Sequence, residues 1–467
     1  MSFFKTILLP ILFVGSASFA DKIKLLDNND NALQARVDLI ANAKREILVE
    51  YFAFASDDFS LTSFALLREA AERGVKIKIL MDSLNNKLSQ AEMAAILGVT
   101  ENSKAFENIE VRLFNPLRGL NIVHQTYRNH DKLLNIDGEY MIVGGRNAAE
   151  SYFGKSKVLN FKDADALVSG KSAEESRDYF LTLWNKNPEV RKLELYNYSQ
   201  VRVDYPNCAS AEESQTCGKP EQEIKASLTR IKSLYQQFKA GKSWVKTMPL
   251  AVMLADMEEV GPIKFAFNDP TQTMSNVEEK LASQILSTIV ENARESIVIS
   301  TPYLYPTDNE LASLRVLAAR GVNIKIVTNS LASTDSTLVH AALLSIKKQL
   351  ADIGIELYLY KGPDVLHAKG AIIDGKISFI GSFNFDQRSA EINREIGIKV
   401  GENSAKASQF SKHFNAFIQN ELIANSVLAT KDGREIDLIA FDSNVSMQKK
   451  AMLDHAKPFI SMLKNQL

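Results

Sequence analysis

Two stretches of the chain repeat the same pattern of apolar and polar positions. In each, a short apolar run is followed by an amphipathic stretch, a glycine and a second apolar run. The first copy comprises residues 45–49, 61–73, Gly74 and 75–81, and the second comprises residues 294–300, 310–320, Gly321 and 322–327. This order is typical of a β-α-β unit with parallel strands. Two such units about 247 positions apart predict a duplicated α/β domain.

The repeat divides the chain into two lobes, a connector and a tail. We expect an N-terminal lobe at residues 21–205, a connector at 206–257, a C-terminal lobe at 258–442 and a helical tail at 443–467. Residues 221–239 of the connector have helical spacing. In the tail, four apolar side chains recur at roughly helical spacing, which predicts a packing face: Met447, Met452, Phe459 and Met462.

The first twenty residues have the organisation of a cleavable export signal. Lys5 precedes an apolar run over residues 7–14, and small residues lead up to Ala20. We expect cleavage after Ala20 and a mature protein that is periplasmic or extracellular. The alternative, a membrane anchor, requires an apolar run of about 20 residues, and this run is shorter. No later stretch reaches that length without charges, so we expect no transmembrane segment after cleavage.

The two cysteines of the chain, Cys208 and Cys217, lie close together in a polar stretch. In an exported protein this spacing predicts one local disulfide. Without a nearby histidine pattern, the pair is a poor zinc site.

Composition and charge exclude several classes of protein. The chain has 467 residues, 45% hydrophobic and 24% charged, which is typical of a globular protein and not of a disordered chain, a collagen or a disulfide-rich miniprotein. Lys and Arg number 55 against 56 Asp and Glu, a net charge of −1. Near-neutrality argues against a broad basic surface for nucleic acid, so we expect no stable nucleic-acid partner.

A second repeat carries the candidate chemistry. Both copies have the form H-x-K-x4-D-x6-G-[GS]-x-N, and every matched position differs by 237 residues. The first copy contains His130, Lys132, Asp137, Gly144, Gly145 and Asn147, and the second contains His367, Lys369, Asp374, Gly381, Ser382 and Asn384. A lone H-x-K has no diagnostic value, whereas six matched positions in register are a strong signal.

The spacing of these residues predicts a pocket for a phosphodiester. In an extended strand, residues i and i+2 point to the same side, so each histidine projects with its lysine. Asp137 and Asp374 precede glycines and fit turn-formers better than direct catalysts, although we keep them with the candidate catalytic residues. Packing of the two lobes would bring together two imidazoles, two ammoniums and two amides. The other four histidines fit structural positions: His124, His340, His413 and His455.

The two motifs resemble those of the phospholipase D superfamily, over roughly residues 35–430. The phrases GGRNAAESYF, LHAKGAIIDG and GSFNFDQRSAEINREIGI are similar to the bacterial cardiolipin synthase branch, particularly its C-type members. The resemblance implies α/β sandwich lobes with mixed sheets, packed with pseudo-twofold symmetry around one active site. A monomer would then contain a complete site.

The same resemblance implies a two-step transfer that needs neither metal nor cofactor. One histidine attacks phosphorus to give a phosphohistidine, while the other protonates the leaving alcohol. We expect His130 to attack and His367 to be the acid/base, with the reverse order left open. Phosphoryl oxygens would be held by Lys132, Lys369, Asn147 and Asn384, and the pocket would be lined by Gly145 and Ser382. The family's orienting acids match Glu395 and Asp163, with Asp165 as a second candidate.

Two departures bear on the substrate. An export signal is unusual for the branch, and Ala341-Ala342 follows His340 where the branch has a Gly-Tyr pair. The leading hypothesis is an exported enzyme that hydrolyses or transphosphatidylates phospholipid at a membrane surface. The alternatives are a nuclease of the same superfamily and an inactive binding or scaffold protein.

Overall fold

Two nine-stranded mixed sheets form the framework of the chain in a computed structural model. The structure describes residues 20–101, 104–116, 126–195, 219–242, 247–402, 404–436, 445–456 and 460. Several predictions fall outside these residues: the export signal up to residue 19, the disulfide between Cys208 and Cys217, and the placement of His124, Phe459 and Met462.

The first sheet has the order β10-β1-β8-β6-β5-β2-β3-β4-β9. Its strands are β1 (Lys22–Leu26), β2 (Glu46–Tyr51), β3 (Lys76–Asp82), β4 (Ile109–Phe114), β5 (Lys132–Ile136), β6 (Tyr140–Gly144), β8 (Asp165–Ser169), β9 (Val190–Lys192) and β10 (Glu258–Glu259). The strands β2, β3 and β4 are parallel, and the remaining pairings are antiparallel.

The second sheet repeats this plan in the order β11-β20-β18-β17-β12-β14-β15-β21-β22. Its strands are β11 (Lys264–Phe267), β12 (Ser296–Ser300), β14 (Asn323–Asn329), β15 (Glu356–Tyr360), β17 (Gly370–Ile373), β18 (Ile377–Gly381), β20 (Ile396–Val400), β21 (Ser426–Lys431) and β22 (Arg434–Glu435). Two small parallel pairs join β13 (Leu304–Tyr305) to β19 (Phe385–Asp386), and β7 (Phe161–Lys162) to β16 (Val365–Leu366).

Twelve α-helices are present in the described residues. They are α1 (Asn29–Asn42), α2 (Asp58–Glu72), α3 (Gln90–Ile96), α4 (Lys171–Lys186), α5 (Lys219–Lys239), α6 (Leu250–Leu254), α7 (Leu281–Asn292), α8 (Asp308–Ala319), α9 (Thr337–Ile353), α10 (Gln387–Glu391), α11 (Gln409–Ala416) and α12 (Met447–Ala456). None of them is both long and apolar enough to cross a bilayer.

Both predicted β-α-β units are confirmed. β2 and β3 are parallel, as are β12 and β14. Each intervening helix ends two residues before a glycine in the left-handed region, Gly74 at φ 95° and Gly321 at φ 85°. At this backbone angle a side chain is disfavoured, so the glycine ends the helix.

The two lobes share one hydrophobic core. Leu48 and Leu133 of the first sheet belong to the same buried cluster as Val298 and Ile372 of the second. The helices α4 and α11 contribute aromatic rings to it, among them Phe180 of α4. Burial of apolar side chains from both sheets stabilises the lobes as one unit.

The part of the connector that the structure describes packs on the first lobe. Ile224, Leu228 and Ile231 of α5 are buried in that lobe's own core. The strand β10 pairs with β1, so the first sheet extends to Glu259 and includes two residues that we assigned to the second lobe. Sequence spacing revealed the helix but not the surface against which it packs.

The prediction for the tail is wrong for the two methionines that the structure describes. Met447 and Met452 are exposed, whereas Leu453 is buried against α9. At about 100° per residue, the two methionines lie about 140° apart and away from Leu453. Lys449 also points inward, where its ammonium donates to three carbonyls of residues 331–334.

Candidate active site

Each His–Lys pair enters its sheet at the edge where the parallel strands end. β5 begins at Lys132, which pairs with Tyr51 at the end of β2. β17 begins directly after Lys369, and its first residue pairs with Ser300 at the end of β12. The loops that follow β2 and β3 emerge at this edge because the two strands are parallel. The motif residues therefore gather at one edge of each sheet.

The carboxylates that hold the two imidazoles are exchanged between the lobes. Nδ1 of His130 lies 2.9 and 3.0 Å from the two oxygens of Glu395. Nδ1 of His367 lies 2.6 Å from Oδ2 of Asp163. Both carboxylates are fully buried. The two acids singled out from the sequence thus contact the histidines, and each serves the histidine of the other lobe.

Short backbone pairings between the lobes fix these contacts. The amide of His130 donates to the carbonyl of Arg394 (3.1 Å), one residue before Glu395. The amide of His367 donates to the carbonyl of Lys162 (2.8 Å), one residue before Asp163. Each histidine is therefore held at its backbone and at its ring by the same segment of the opposite lobe.

The carboxylates also fix the tautomer of each ring. An ionised carboxylate only accepts hydrogen bonds, so Nδ1 of each histidine carries the proton. Nε2 is then left with its lone pair, as a base or nucleophile.

The two lysines contact their histidines differently. Both are fully buried, and each ammonium donates to the carbonyl of its own histidine at 2.6 Å. Lys369 Nζ also lies 2.9 Å from Nδ1 and 3.1 Å from Nε2 of His367. Lys132 Nζ instead lies 5.0 Å from the centre of the Phe52 ring. The Lys369 ammonium therefore lies against the ring of His367, whereas Lys132 is directed toward an aromatic face.

Burial dominates the titration of the site. It lowers the pKa of His367 to about 3 and that of His130 well below its ordinary value, with help from the neighbouring lysine charges. Burial also lowers the pKa of Lys132 to about 7 and that of Lys369 to about 8, and it raises the pKa of Glu395 to about 7. A bound anion favours the protonated lysines and opposes these downward shifts.

More aromatic rings surround His367 than His130. Tyr152 and Phe161 each lie 5.1 Å from the His367 ring, and Tyr303 lies 6.4 Å away, between centroids. His130 contacts Phe52 at 4.8 Å. The rings keep water away from the imidazoles, which strengthens electrostatic interactions inside the site.

The small residues of the two motifs support the orienting acids. A Cβ atom at Gly145 would lie 2.3 Å from Oδ1 of Asp163, so a side chain there would displace that carboxylate. At the matching position, Ser382 donates a 2.5 Å hydrogen bond to Glu395. We predicted that both would line the phosphate pocket, and the structure places both directly against the acids.

The two asparagines differ in their partners. Asn147 accepts from the amide of Ala53 (3.2 Å) and donates to the hydroxyl of Tyr152 (2.8 Å). Asn384 is buried, and its Oδ1 has no hydrogen-bond partner within the described part of the chain. Asn147 is thus engaged in the fold, whereas Asn384 keeps free hydrogen-bonding capacity.

Asp137 and Asp374 lie away from the site, at the opposite ends of β5 and β17. The carboxylate of Asp137 accepts three hydrogen bonds of 2.7–2.9 Å from the amides of residues 44–46. Asp374 accepts the same three from residues 294–296, at 2.8–2.9 Å. Both adopt positive φ, 57° and 50°. Their placement with the candidate catalytic residues is therefore corrected, and the turn-forming interpretation describes them.

Asp165, the second candidate for an orienting acid, has another role. Its carboxylate pairs with Arg36 at 2.8 Å and Arg146 at 3.0 Å, and all three side chains are buried. It ties α1 to the GGRN segment and does not contact a motif histidine in the hydrogen bonds of the structure.

A buried acidic pair beneath His130 was missed from the sequence. Glu50 and Asp131 are fully buried and lie close enough for each to influence the pKa of the other. Asn129 donates to Glu50 at 2.7 Å, Tyr179 donates to Asp131, and Arg394 lies close enough to influence both pKa values. The signal was available, because Glu50 interrupts the buried strand ILVEY and Asp131 lies inside the H-x-K motif.

The donor groups of the site suit an anion with several oxygens. Two imidazoles, two lysines and a buried amide converge where a phosphodiester would be held. In the described ranges, no group of three or more His, Cys, Asp or Glu side chains could hold a metal ion.

Comparisons with known proteins agree with this geometry. The family model "Cardiolipin synthase, PLD-like domain" matches residues 37–184 and 286–418, more than half of the chain. Cardiolipin synthase C of Escherichia coli K12 is 30% identical over 83% of this chain and 83% of its own length. Cardiolipin synthase 2 of Bacillus anthracis is 26% identical over 81% of this chain and 61% of its own.

A solved structure supports the fold. Phosphatidylserine synthase of Haemophilus influenzae Rd KW20 superposes with a TM-score of 0.64 over 96% of this chain and 97% of its own, at 13% identity. The resemblance inferred from the two H-x-K motifs is confirmed. The chain belongs to the phospholipase D superfamily, in the family described as cardiolipin synthase, PLD-like domain, and it is a phosphatidyltransferase enzyme.

Proposed function

We propose that the protein is an exported enzyme that transfers a phosphatidyl group from a phospholipid to an acceptor alcohol through a phosphohistidine. The observation that carries this proposal is the pair of imidazoles, each oriented by a carboxylate of the other lobe. The surroundings support transfer over hydrolysis, because both rings are buried among aromatic side chains that exclude water.

In the first step, Nε2 of His130 attacks phosphorus and the bond from phosphorus to the headgroup oxygen breaks. The negative charges of Asp163 and of the bound phosphodiester favour the doubly protonated form of His367, and the leaving alcohol takes the proton that this form carries on Nε2. In the second step, the acceptor alcohol gives its proton back to His367 and attacks phosphorus, and the P–N bond breaks. Both histidines thus return to their starting states.

The different lysine contacts support this order of roles. Lys369 Nζ lies 2.9 Å from Nδ1 and 3.1 Å from Nε2 of His367, so an ammonium charge lies against that ring and hinders its attack on phosphorus. Lys132 does not contact the ring of its own histidine. Among the hydrogen bonds of the described residues, its ammonium donates only to the carbonyl of His130. With an anion bound, both ammoniums would stabilise charge on the phosphoryl oxygens.

The substrate assignment is tested with purified protein and defined lipids. Vesicles of phosphatidylglycerol, alone or with phosphatidylethanolamine, are incubated with the enzyme and the products are identified by mass spectrometry. We expect transphosphatidylated lipid and free headgroup alcohol, with EDTA causing no loss. Single-stranded DNA is the comparison substrate, and its cleavage without lipid turnover would replace the proposal by a nuclease.

The proposal of export rests on the first twenty residues, and the start of the fold is compatible with cleavage after Ala20. Asp21 is buried, and its carboxylate accepts from Ser172 Oγ at 2.8 Å and the amide of Ile263 at 2.9 Å. N-terminal sequencing of protein recovered from the periplasm tests this point. We expect Asp21 as the first residue, and intact Met1 in a cytoplasmic fraction would contradict export.

A further inference from the structure

An apolar tip on a basic loop lies beside the active site. The loop, here called the rim loop, comprises residues 154–160, between the turn at Phe153 and β7. At its tip, Val158 is 95% exposed and Leu159 is 38% exposed, next to the exposed Lys157. A single exposed aliphatic residue is ordinary, but two adjacent ones beside a lysine at the edge of an active site call for an explanation.

The rim loop is stiff and directly attached to the catalytic segment. The side chain of Asn160 closes it, donating to the carbonyl of Ser156 (3.0 Å) and accepting from its amide (3.1 Å). The carbonyl of Asn160 then accepts from Val365 in β16, two residues before His367. Three residues after the tip, Phe161 packs on the His367 ring at 5.1 Å.

A second loop on the same edge repeats the combination of charge and apolar surface. Leu84 and Lys87 are both exposed in the segment that follows β3. Phe54 joins the two regions, because it forms β-bridges both to Asn86 and to Ala148 at the start of the segment that leads to the rim loop. Of the nearby acids, Asp57 accepts from the first turn of α2 and Asp58 pairs with Arg230, whereas Glu150 lies close enough to Lys157 to interact with its charge.

We propose that the rim loop, together with Leu84 and Lys87, docks the protein on an anionic phospholipid bilayer. The proposal rests on the phosphatidyltransferase function, because that substrate lies in a membrane. The aliphatic tips would enter the interfacial region, and the lysines would contact anionic headgroups. Val158 and Phe161 are at most about 11 Å apart along the chain, and the interfacial layer is roughly 5–8 Å thick, so docking brings His367 close to headgroup level.

The test separates docking from catalysis. Flotation with phosphatidylcholine vesicles, with or without phosphatidylglycerol, measures binding. The wild-type protein should bind the anionic vesicles, and Val158→Ser/Leu159→Ser should weaken that binding about tenfold or more. Lys87→Ser/Lys157→Ser should remove most of the preference for phosphatidylglycerol. The control Val252→Ser/Val316→Ser replaces two exposed valines on other surfaces and should bind as wild type does.

Turnover of two forms of one lipid completes the test. With short-chain phosphatidylglycerol below its critical micelle concentration, the Val158→Ser/Leu159→Ser variant should keep wild-type kcat/KM, while its turnover of vesicles falls. Wild-type-like vesicle binding by this variant overturns the proposal. So does an altered oligomeric state in sedimentation with unchanged vesicle binding, which would assign the surface to a second copy of the chain. If the wild type turns over neither lipid form, the proposed function fails, while the binding comparison still decides the docking surface.

Discussion

The two lobes present matching reactive groups on different supports. Beneath His130 lie the buried acids Glu50 and Asp131, whereas the matching residues of the second lobe are Ser300 and Ala368. There, Ser300 simply donates to the carbonyl of Ala368 at 2.9 Å. The duplication has thus preserved the His–Lys pairs while the layer behind them differs. Such a difference is consistent with a two-step reaction in which one histidine is the nucleophile and the other is the acid/base.

Substitution of the two histidines should have the largest effect on activity and should distinguish the roles of the two lobes. We expect His130→Ala to lower kcat by about 10⁴-fold or more and His367→Ala by about 10²–10⁴-fold, because one removes the nucleophile and the other the proton donor. With a phosphodiester whose leaving group needs no proton, His367→Ala should accumulate a phosphorylated enzyme. Mass spectrometry should place the phosphoryl group on His130. Its appearance on His367 in the His130→Ala variant instead would reverse the assignment.

Exchange of the small residues behind the acids should give the next largest effect. Gly145→Ser places a Cβ atom 2.3 Å from Asp163 Oδ1 and should lower kcat by about 10²-fold, because His367 loses its orienting partner. Ser382→Gly removes one hydrogen bond to Glu395 and should cost about tenfold. Steady-state kinetics measures both, with thermal unfolding as the control for folding. Equal losses in the two variants would contradict the different roles of these positions.

The pH dependence of kcat/KM should report ionisable groups from both lobes, Lys132 from the first and Glu395 and Lys369 from the second. Glu395 must be ionised to hold His130, so activity should rise through its pKa of about 7. Lys132 and Lys369 must be protonated to bind the anion, so activity should fall as pH rises past their pKa values of about 7 and about 8. Lys132→Arg keeps its charge and should remove the lower alkaline limb. A profile that is flat between pH 6 and about 10 would contradict this account.

The sequence was most informative where the determinants are local. Asp137 and Asp374 precede glycine, and the turns are there, because short-range geometry fixes them. The register of two motifs revealed the reactive groups of the site. Which acid serves which histidine depends on how the lobes pack, and no spacing within one lobe contains that information. The prediction that the methionines of the tail form a packing face was wrong for a related reason. Helical spacing does not show which side of the helix the rest of the fold covers.

The smallest expected effect concerns Glu50 and is measured as a change in the free energy of unfolding. Burial raises the pKa of Glu50 well above its ordinary value and that of Asp131 to about 6, so Glu50 carries the proton and Asp131 is the charged member of the pair, near Arg394. Glu50→Gln imitates the protonated acid and should change the free energy of unfolding by about 1 kcal/mol or less. Asp131→Asn removes a buried negative charge near Arg394 that also accepts from Tyr179, and it should cost about 3 kcal/mol.

The pH dependence of the free energy of unfolding tests whether Glu50 is protonated in the folded protein or is only tightly packed. The folded protein keeps a proton on Glu50 that the unfolded chain loses above its ordinary pKa of 4.5. Stability from this group is therefore present below that pH and declines as pH rises toward the raised folded pKa. Urea unfolding at several pH values should show a decline that Glu50→Gln reduces and Ser300→Ala, at the matching position of the second lobe, leaves unchanged. An equal decline in wild type and Glu50→Gln would mean that Glu50 is not protonated in the folded protein, and the difference between the lobes would then be one of packing alone.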